Sequence, residues 1–154
     1  MTYEIEQKTK IRGHIEAWKR FANGTRIKVV DTYNLMTNNG ADLHRDLIAG
    51  LSSAKITHAA LGNSTTSPTS GDTTLGAEII RKAVTVDASI GIGKVRFEWP
   101  ILKTEGNTPG TFSEVGLLTA AVSGILVTRA TFSTIDKDSS VEMDWAYTIE
   151  YISG

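Results

Sequence analysis

The chain has 154 residues and a mass of 16.6 kDa, which is the size of a single domain. Its 16 lysines and arginines and 17 aspartates and glutamates leave a net charge of −1, which excludes a nucleic-acid binder that works through overall basicity. The sequence contains no cysteine, so disulfides, thiolate metal sites and cysteine nucleophiles are excluded.

The N-terminal residues 1–8 are polar and mixed in charge, without the basic start and apolar run of a secretory signal. No stretch of the sequence approaches the roughly 18 apolar residues of a membrane helix. We therefore expect a protein that is made in the cytoplasm and has no membrane partner.

Two segments near the N-terminus predict a β-hairpin. Residues 11–21 and 25–33 flank Asn23-Gly24, a pair that favours a tight type I′ turn because both residues tolerate a positive φ. Residues 1–30 are therefore predicted to form an N-terminal strand, a hairpin or a docking arm.

One helix is predicted over residues 43–51, where four apolar side chains share a face at helical spacing. They belong to Leu43, Leu47, Ile48 and Leu51. Asn38 or Asn39 is the predicted N-cap, because its side-chain oxygen can accept a hydrogen bond from the first turn. A long polar loop follows over residues 62–74, and residues 75–83 are a weaker candidate for a short helix.

The C-terminal half of the chain reads as a series of strands. Residues 94–103 alternate apolar and polar side chains, and residues 84–92 are their predicted partner. Residues 111–118 form another strand. Residues 124–132 and 141–151 are predicted to pair as a hairpin, and the second of them has the longest strict alternation in the chain.

These elements predict a mainly β fold of seven to nine short strands. The expected architecture is an antiparallel β-sandwich-like domain over residues 31–154, with one amphipathic helix and a long polar loop. Thr and Ser, at 20 and 12 residues, are abundant, and such a surface suits polar packing between proteins.

Two stretches resemble catalytic or cofactor-binding motifs, but each lacks a residue that its motif requires. Residues 44–47 read His-Arg-Asp-Leu, as in a kinase catalytic loop, but Leu51 stands where that motif needs a metal-binding Asn. Gly91 and Gly93 begin a dinucleotide fingerprint that lacks its third glycine. The three histidines lie in separate elements with no ligand spacing. We therefore expect no enzymatic activity, catalytic residue, metal or cofactor.

Charged residues within or beside apolar segments must pair or point outward. Four such residues are Glu78, Arg81, Glu114 and Arg129. We expect them to form structural ion pairs that fix the register between strands.

The tryptophans raise the question of a binding surface. Trp99 and Trp145 fall on the apolar faces of strands and are expected in the core. Trp18 would share a strand face with charged residues, which makes it the candidate for stacking on a glycan. Basic residues over 8–28 also surround Trp18, but acidic neighbours dilute their charge, so no nucleic-acid partner is expected.

The order of three segments carries a family resemblance. They are Asn34-Leu35-Met36-Thr37 leading into the helix, the polar loop ending in Asp72-Thr73-Thr74-Leu75-Gly76-Ala77-Glu78, and Phe112-Ser113-Glu114-Val115-Gly116-Leu117-Leu118 before the last two strands. Over residues 30–152 this arrangement resembles small virion structural proteins of tailed bacteriophages, of the tail-fibre, baseplate or decoration type.

The resemblance implies assembly in a virion after synthesis in the host bacterial cytoplasm. Its implied partners are further copies of the chain, in a trimer or larger ring, and other virion proteins. It assigns four residues to anchoring the long loop, namely Asp72, Leu75, Glu78 and Arg81, and three to the core, namely Glu114, Gly116 and Arg129.

The leading hypothesis is a non-enzymatic structural component of a tailed-phage virion that oligomerises and attaches to the tail, the baseplate or a fibre. The first alternative is a decoration protein on the outside of the capsid. The second alternative, from a different functional class, is a carbohydrate- or cell-surface-binding module that uses Trp18.

Overall fold

A computed structural model of the chain describes residues 9–153, which form ten strands and one helix. The first half contains β1 (Thr9–Phe21), β2 (Arg26–Tyr33), β3 (Leu35–Met36), α1 (Asn38–Ile48), β4 (His58–Gly62) and β5 (Glu78–Ala83). The second half contains β6 (Thr85–Asp87), β7 (Lys94–Ile101), β8 (Thr111–Leu118), β9 (Leu126–Asp136) and β10 (Val141–Ser153).

The strands form two antiparallel sheets of five strands each. Sheet A has the order β2-β1-β10-β7-β6, and sheet B has the order β3-β9-β8-β4-β5. The prediction of a mainly β, sandwich-like fold is therefore confirmed.

The core lies between the sheets, and strands that alternate apolar and polar residues point their apolar side chains into it. β10 shows this most clearly, because every second residue from Val141 to Ile149 is buried. Trp99 and Trp145, predicted to be core residues, are both buried and stack with ring centroids 5.8 Å apart. Tyr147 of sheet A donates a hydrogen bond to the Thr128 hydroxyl of sheet B across 2.6 Å, which ties the two layers together.

The N-terminal hairpin forms as predicted, with β1 paired to β2 and, on its other side, to β10 along its full length. The turn differs in detail, because only Gly24 of the Asn-Gly pair has a positive φ, of 85°. The predicted boundary at residue 30 falls within β2, so residues 9–30 belong to the same sheet as β7 and β10. A docking arm at residues 1–8 would lie outside the described residues.

Two predicted elements are wrong. Residues 124–132 and 141–151 do not form a hairpin, because β9 lies in sheet B and β10 lies in sheet A. The short helix over 75–83 is instead β5, which pairs with β4 from His58 to Gly62. The predicted partner of β7 over 84–92 is confirmed only for the three residues of β6.

The helix begins earlier than predicted. Its N-cap is Thr37, whose hydroxyl accepts a hydrogen bond from the Gly40 N–H at 2.9 Å and donates one to the Leu126 carbonyl. A Cβ at Gly40 would lie 2.2 Å from the Val127 carbonyl oxygen, so a glycine lets α1 pack closely against β9. Among residues 9–153 there is no helix of the length and apolar character needed to cross a membrane.

Candidate functional site

A buried ion pair in sheet B joins two of the residues that the sequence singled out. Glu114 on β8 and Arg129 on β9 are 0% and 3% exposed, and the Arg129 Nε donates to the Glu114 Oε2 across 3.0 Å. Gly116 is directly opposite Arg129, so the ion pair runs diagonally between neighbouring strands. This confirms the expected ion pair between strands.

Glu114 also binds the backbone at both ends of the long loop. Its Oε1 accepts from the Ala77 N–H at 2.7 Å and the Ser64 N–H at 3.3 Å, and its Oε2 accepts from the Gly76 N–H at 2.9 Å. Gly62 makes room for this carboxylate, since a Cβ there would lie 2.4 Å from Oε1. One buried side chain thus closes the loop at its base.

Arg129 holds the middle of the same loop. Its Nη1 donates to Asp72 Oδ2 at 2.8 Å and its Nη2 donates to the Thr66 carbonyl at 2.9 Å. Asp72 in turn accepts from the Thr69 N–H at 3.0 Å and from the Thr69 hydroxyl at 2.8 Å. The Thr69 N–H and hydroxyl, together with the Arg129 guanidinium, lower the pKa of Asp72. We call Asp72, Glu114 and Arg129 the loop anchor.

Two members of the loop anchor, Asp72 and Arg129, line an open, mostly polar hollow of about 440 Å³. Thr66, Thr73 and Thr74 are among the loop residues around it. The carboxylates and the guanidinium are bonded to one another and to the backbone, so the arrangement fixes a polar surface in place.

Glu78 and Arg81 form a separate ion pair within β5, with Arg81 Nη2 2.7 Å from Glu78 Oε1. Arg81 Nη1 donates to the carbonyls of Ala120 at 3.0 Å and Ser123 at 2.8 Å. The expected ion pair is present, but it fixes the loop between β8 and β9 rather than the register between strands.

Leu75 and Gly116 meet in a small second core. The buried members of this core are Ala60, Leu75, Leu118 and Leu126. A Cβ at Gly116 would lie 3.0 Å from Leu75 Cδ2, so the glycine leaves the space that Leu75 fills. Leu75 thereby anchors the end of the long loop through apolar packing.

The outer face of sheet A carries paired charges along β1 and its neighbours. Arg12 pairs with Glu150 at 2.7 Å, and Arg20 pairs with Glu142 at 2.7 Å. Trp18 lies on this face as predicted and is half-buried, with the Arg26 guanidinium 4.2 Å from its ring centroid. Trp18 is therefore far from the loop anchor, on the other sheet.

The same face brings together three side chains whose grouping the sequence analysis missed. His14 and Glu16 on β1 meet Asp31 on β2, with ligand atoms all within 4.8 Å of one another. They are the one such group among residues 9–153. The sequence did contain a sign of this grouping: His14 and Glu16 are two residues apart and so lie on the same face of a strand that was predicted to pair with residues 25–33.

A lysine already occupies the space between the carboxylates of this group. The Lys28 Nζ lies 2.6 Å from Glu16 Oε2 and 2.8 Å from Asp31 Oδ2. These contacts raise the pKa of Lys28, and its hydrogen bond, with that of His14, lowers the pKa of Asp31. The ammonium supplies the positive charge that a metal ion would bring, so the cluster reads as an ion-pair network.

The chain matches no family model, no curated protein and no solved structure.

Proposed function

We propose that this chain is a non-enzymatic structural component of a tailed-phage virion, which oligomerises and attaches to the tail, the baseplate or a fibre. The sequence resemblance points to this class. The observation that supports it best is the loop anchor, whose charged side chains are bonded to one another and to a long Ser/Thr-rich loop.

A fixed polar loop is suited to contact with another protein because its ordering entropy is lost during folding rather than on binding. Most residues of the loop from Asn63 to Thr74 are exposed. The sheets also end in edge strands, β2 and β6 in sheet A and β3 and β5 in sheet B, where a partner strand can be added.

The first test is location and copy number in purified particles. The protein is quantified against the major capsid protein, and its C-terminus is labelled for electron microscopy. A few to a few dozen copies at the tail support the proposal. Hundreds of copies over the head would make it a decoration protein, and absence from particles would overturn a virion role.

The second test asks whether the loop makes the attachment. Thr65→Lys with Ser67→Lys places two bulky charges on exposed loop positions. The matched control is Ser133→Lys with Thr134→Lys, on exposed positions of β9. We expect the loop variant to fold normally and to be lost from particles while the control is incorporated. Equal incorporation of both would assign the attachment to another surface.

A glycan-binding module is the second candidate, and one observation favours it. Trp18 borders a hollow of about 280 Å³ that also includes Glu98 and Asp144, a combination of aromatic face and carboxylates that suits a sugar ring. Trp18→Ala should then abolish binding to cells or glycan arrays without unfolding the protein. Unchanged binding, or no binding by the unaltered chain, would exclude this candidate.

A further inference from the structure

An apolar groove opens at one end of the sandwich, between α1 and the strands of sheet A. Its volume is about 230 Å³, and its surface is mostly apolar. Leu43, Leu47, Val86, Val95, Ile149 and Tyr151 are among its lining residues. We call it the end groove. On one side it reaches the helix, where the Tyr151 hydroxyl lies 3.0 Å from His44 Nδ1.

The end groove is incompletely covered within the described chain. Val86 and Tyr151 are 56% and 44% exposed, although their strand parity points them to the inner side of sheet A. Ile92, in the turn between β6 and β7, is fully exposed next to Tyr151, whose N–H donates to the Gly93 carbonyl. Exposed apolar surface gathered in one place is typical of a binding surface.

The first strand begins beside this groove. Thr9 is opposite Ser153 and Ile11 is opposite Tyr151 in the register of β1 with β10. Since β1 runs antiparallel to β10, the first described residue of β1 lies beside the last described residues of β10. The groove and the start of β1 therefore lie at the same end of the molecule.

The sequence before Thr9 continues the alternation of β1. Met1, Tyr3 and Ile5 have the same parity as the inward-facing Ile15, whereas Glu4 and Glu6 have the outward parity. The segment thus offers a row of apolar side chains, which is what the exposed apolar surface of the end groove needs to be covered. Eight residues span about 26 Å when extended, enough to cross into a neighbouring molecule.

The composition of residues 1–8 indicates whether they bind in the end groove of their own chain or in that of a second copy. To enter its own groove the chain would have to reverse direction just before Thr9. Residues 1–8 contain no Gly, Pro, Asn or Asp, the residues that favour tight turns. We infer that residues 1–8 of one copy bind in the end groove of a second copy, with Tyr3 and Ile5 as the apolar anchors.

Charge at the groove is consistent with this occupant. Lys55 belongs to the groove lining and is exposed, and no carboxylate lies within 4 Å of it among residues 9–153. Glu4 and Glu6 flank the apolar anchor Ile5 and supply the complementary charge at the rim. Because the start of β1 and the end groove lie at the same end of the molecule, copies that exchange residues 1–8 around a symmetry axis would form a closed assembly.

The inference rests on the self-association part of the proposed function, but it is tested in solution without particles. The mass of the full chain and of a variant lacking residues 1–8 is measured by light scattering and native mass spectrometry. The truncation removes no residue of the described sheets, and circular dichroism checks that folding is retained. We expect the full chain to be an oligomer and the truncated chain to have the mass of one chain.

Two matched pairs of variants locate the contact. Tyr3→Ser with Ile5→Ser should dissociate the oligomer, whereas Thr2→Ser with Lys8→Ser should not. Val86→Asp on edge strand β6 should also dissociate the oligomer, whereas Ile27→Asp on edge strand β2 should leave it intact. Ile27 is the control because it is 50% exposed and lies at the opposite end of the same sheet.

A peptide of residues 1–8 gives the direct measurement. It should bind the truncated chain, and Val86→Asp should weaken that binding at least tenfold. A monomeric full chain, an oligomer indifferent to truncation, or equal peptide binding by the Val86→Asp variant would overturn the inference. None of these results would remove the protein from particles, and its absence from particles would not alter these results, so the two proposals fail separately.

Discussion

Glu114 and Arg129 form a buried ion pair across two neighbouring strands, and between them they bind the long loop at its base and middle. A buried pair of this kind adds little net stability relative to apolar residues that fill the same space. The pair instead fixes the position of the loop, because Glu114 accepts from backbone N–H groups of the loop while Arg129 donates to the Thr66 carbonyl and to the Asp72 carboxylate.

Removing one member of this pair should lower the free energy of unfolding by far more than the intact pair contributes to it. Glu114→Ala leaves Asp72 as the one carboxylate paired with the buried Arg129 guanidinium among residues 9–153, and it frees the N–H groups of Gly76 and Ala77. We expect a loss of roughly 3–5 kcal/mol in the free energy of unfolding, measured by urea denaturation. Hydrogen exchange at those two amides should accelerate with it.

The matched control for this change is Asp42→Ala on α1. Asp42 pairs with Arg45 at 2.9 Å, but both side chains are more than half exposed. An exposed pair of this kind contributes little to the free energy of unfolding, because solvent screens its two charges. Equal losses for Asp42→Ala and Glu114→Ala would mean that burial of the loop anchor has no energetic consequence.

Asp72 should make stability depend on pH in the acid range. Its pKa is lowered in the folded chain, so the unfolded chain binds a proton first as the pH falls. The stabilisation is fully present well above the unfolded value of about 3.9 and is lost as the pH falls through the folded value. Asp72→Asn should reduce the slope of unfolding free energy against pH below about pH 5. An unchanged slope would show that Asp72 is not a source of the acid sensitivity.

A strand could be predicted from the sequence wherever one of its faces is buried and the other is exposed to solvent. The alternation over 141–151 is an example, and its strand forms as predicted. The same alternation does not predict which strand lies beside it, because a strand of either sheet alternates with a period of two residues. The predicted pairing of 124–132 with 141–151 failed for this reason: the chain crosses between sheets after β9.

The loop anchor was predictable only in part. Charges in apolar segments predict an ion pair, and Glu114 with Arg129 is one. Their bonds to Ser64, Gly76 and Ala77 are to backbone groups, which carry no residue-type signature. The β5 strand was missed because its apolar residues, Ile79 and Ile80, are adjacent and show no alternation, and pairing with β4 decides its conformation.

Gly116 should tolerate no side chain. A Cβ there would lie 2.7 Å from Leu126 Cδ1 and 3.0 Å from the Thr128 carbonyl oxygen, so alanine forces the second core to shift. We expect Gly116→Ala to lower the melting temperature, with a loss of about 1–3 kcal/mol. Gly71→Ala is the comparison, since the nearest atom to its Cβ is 4.0 Å away. Similar melting temperatures for the two variants would contradict the packing argument.

Lys28 should control the ionisation of Asp31 on the outer face of sheet A. The hydrogen bond from Lys28 is the largest cause of the lowered pKa of Asp31, ahead of the bond from His14. Lys28→Ala should therefore raise the pKa of Asp31 toward its ordinary value, as followed by a carbon NMR titration of its carboxyl group.

Arg26→Ala provides the matched change of charge for that titration. Arg26 lies on the same strand, but it contacts Trp18 and, at 3.5 Å, Asp144. Its removal lowers the positive charge of β2 by the same amount without touching Asp31. If both variants moved the pKa of Asp31 equally, the effect would come from the net charge of the face. A shift in Lys28→Ala alone would assign it to the ammonium between Glu16 and Asp31, because a direct hydrogen bond acts only at contact distance.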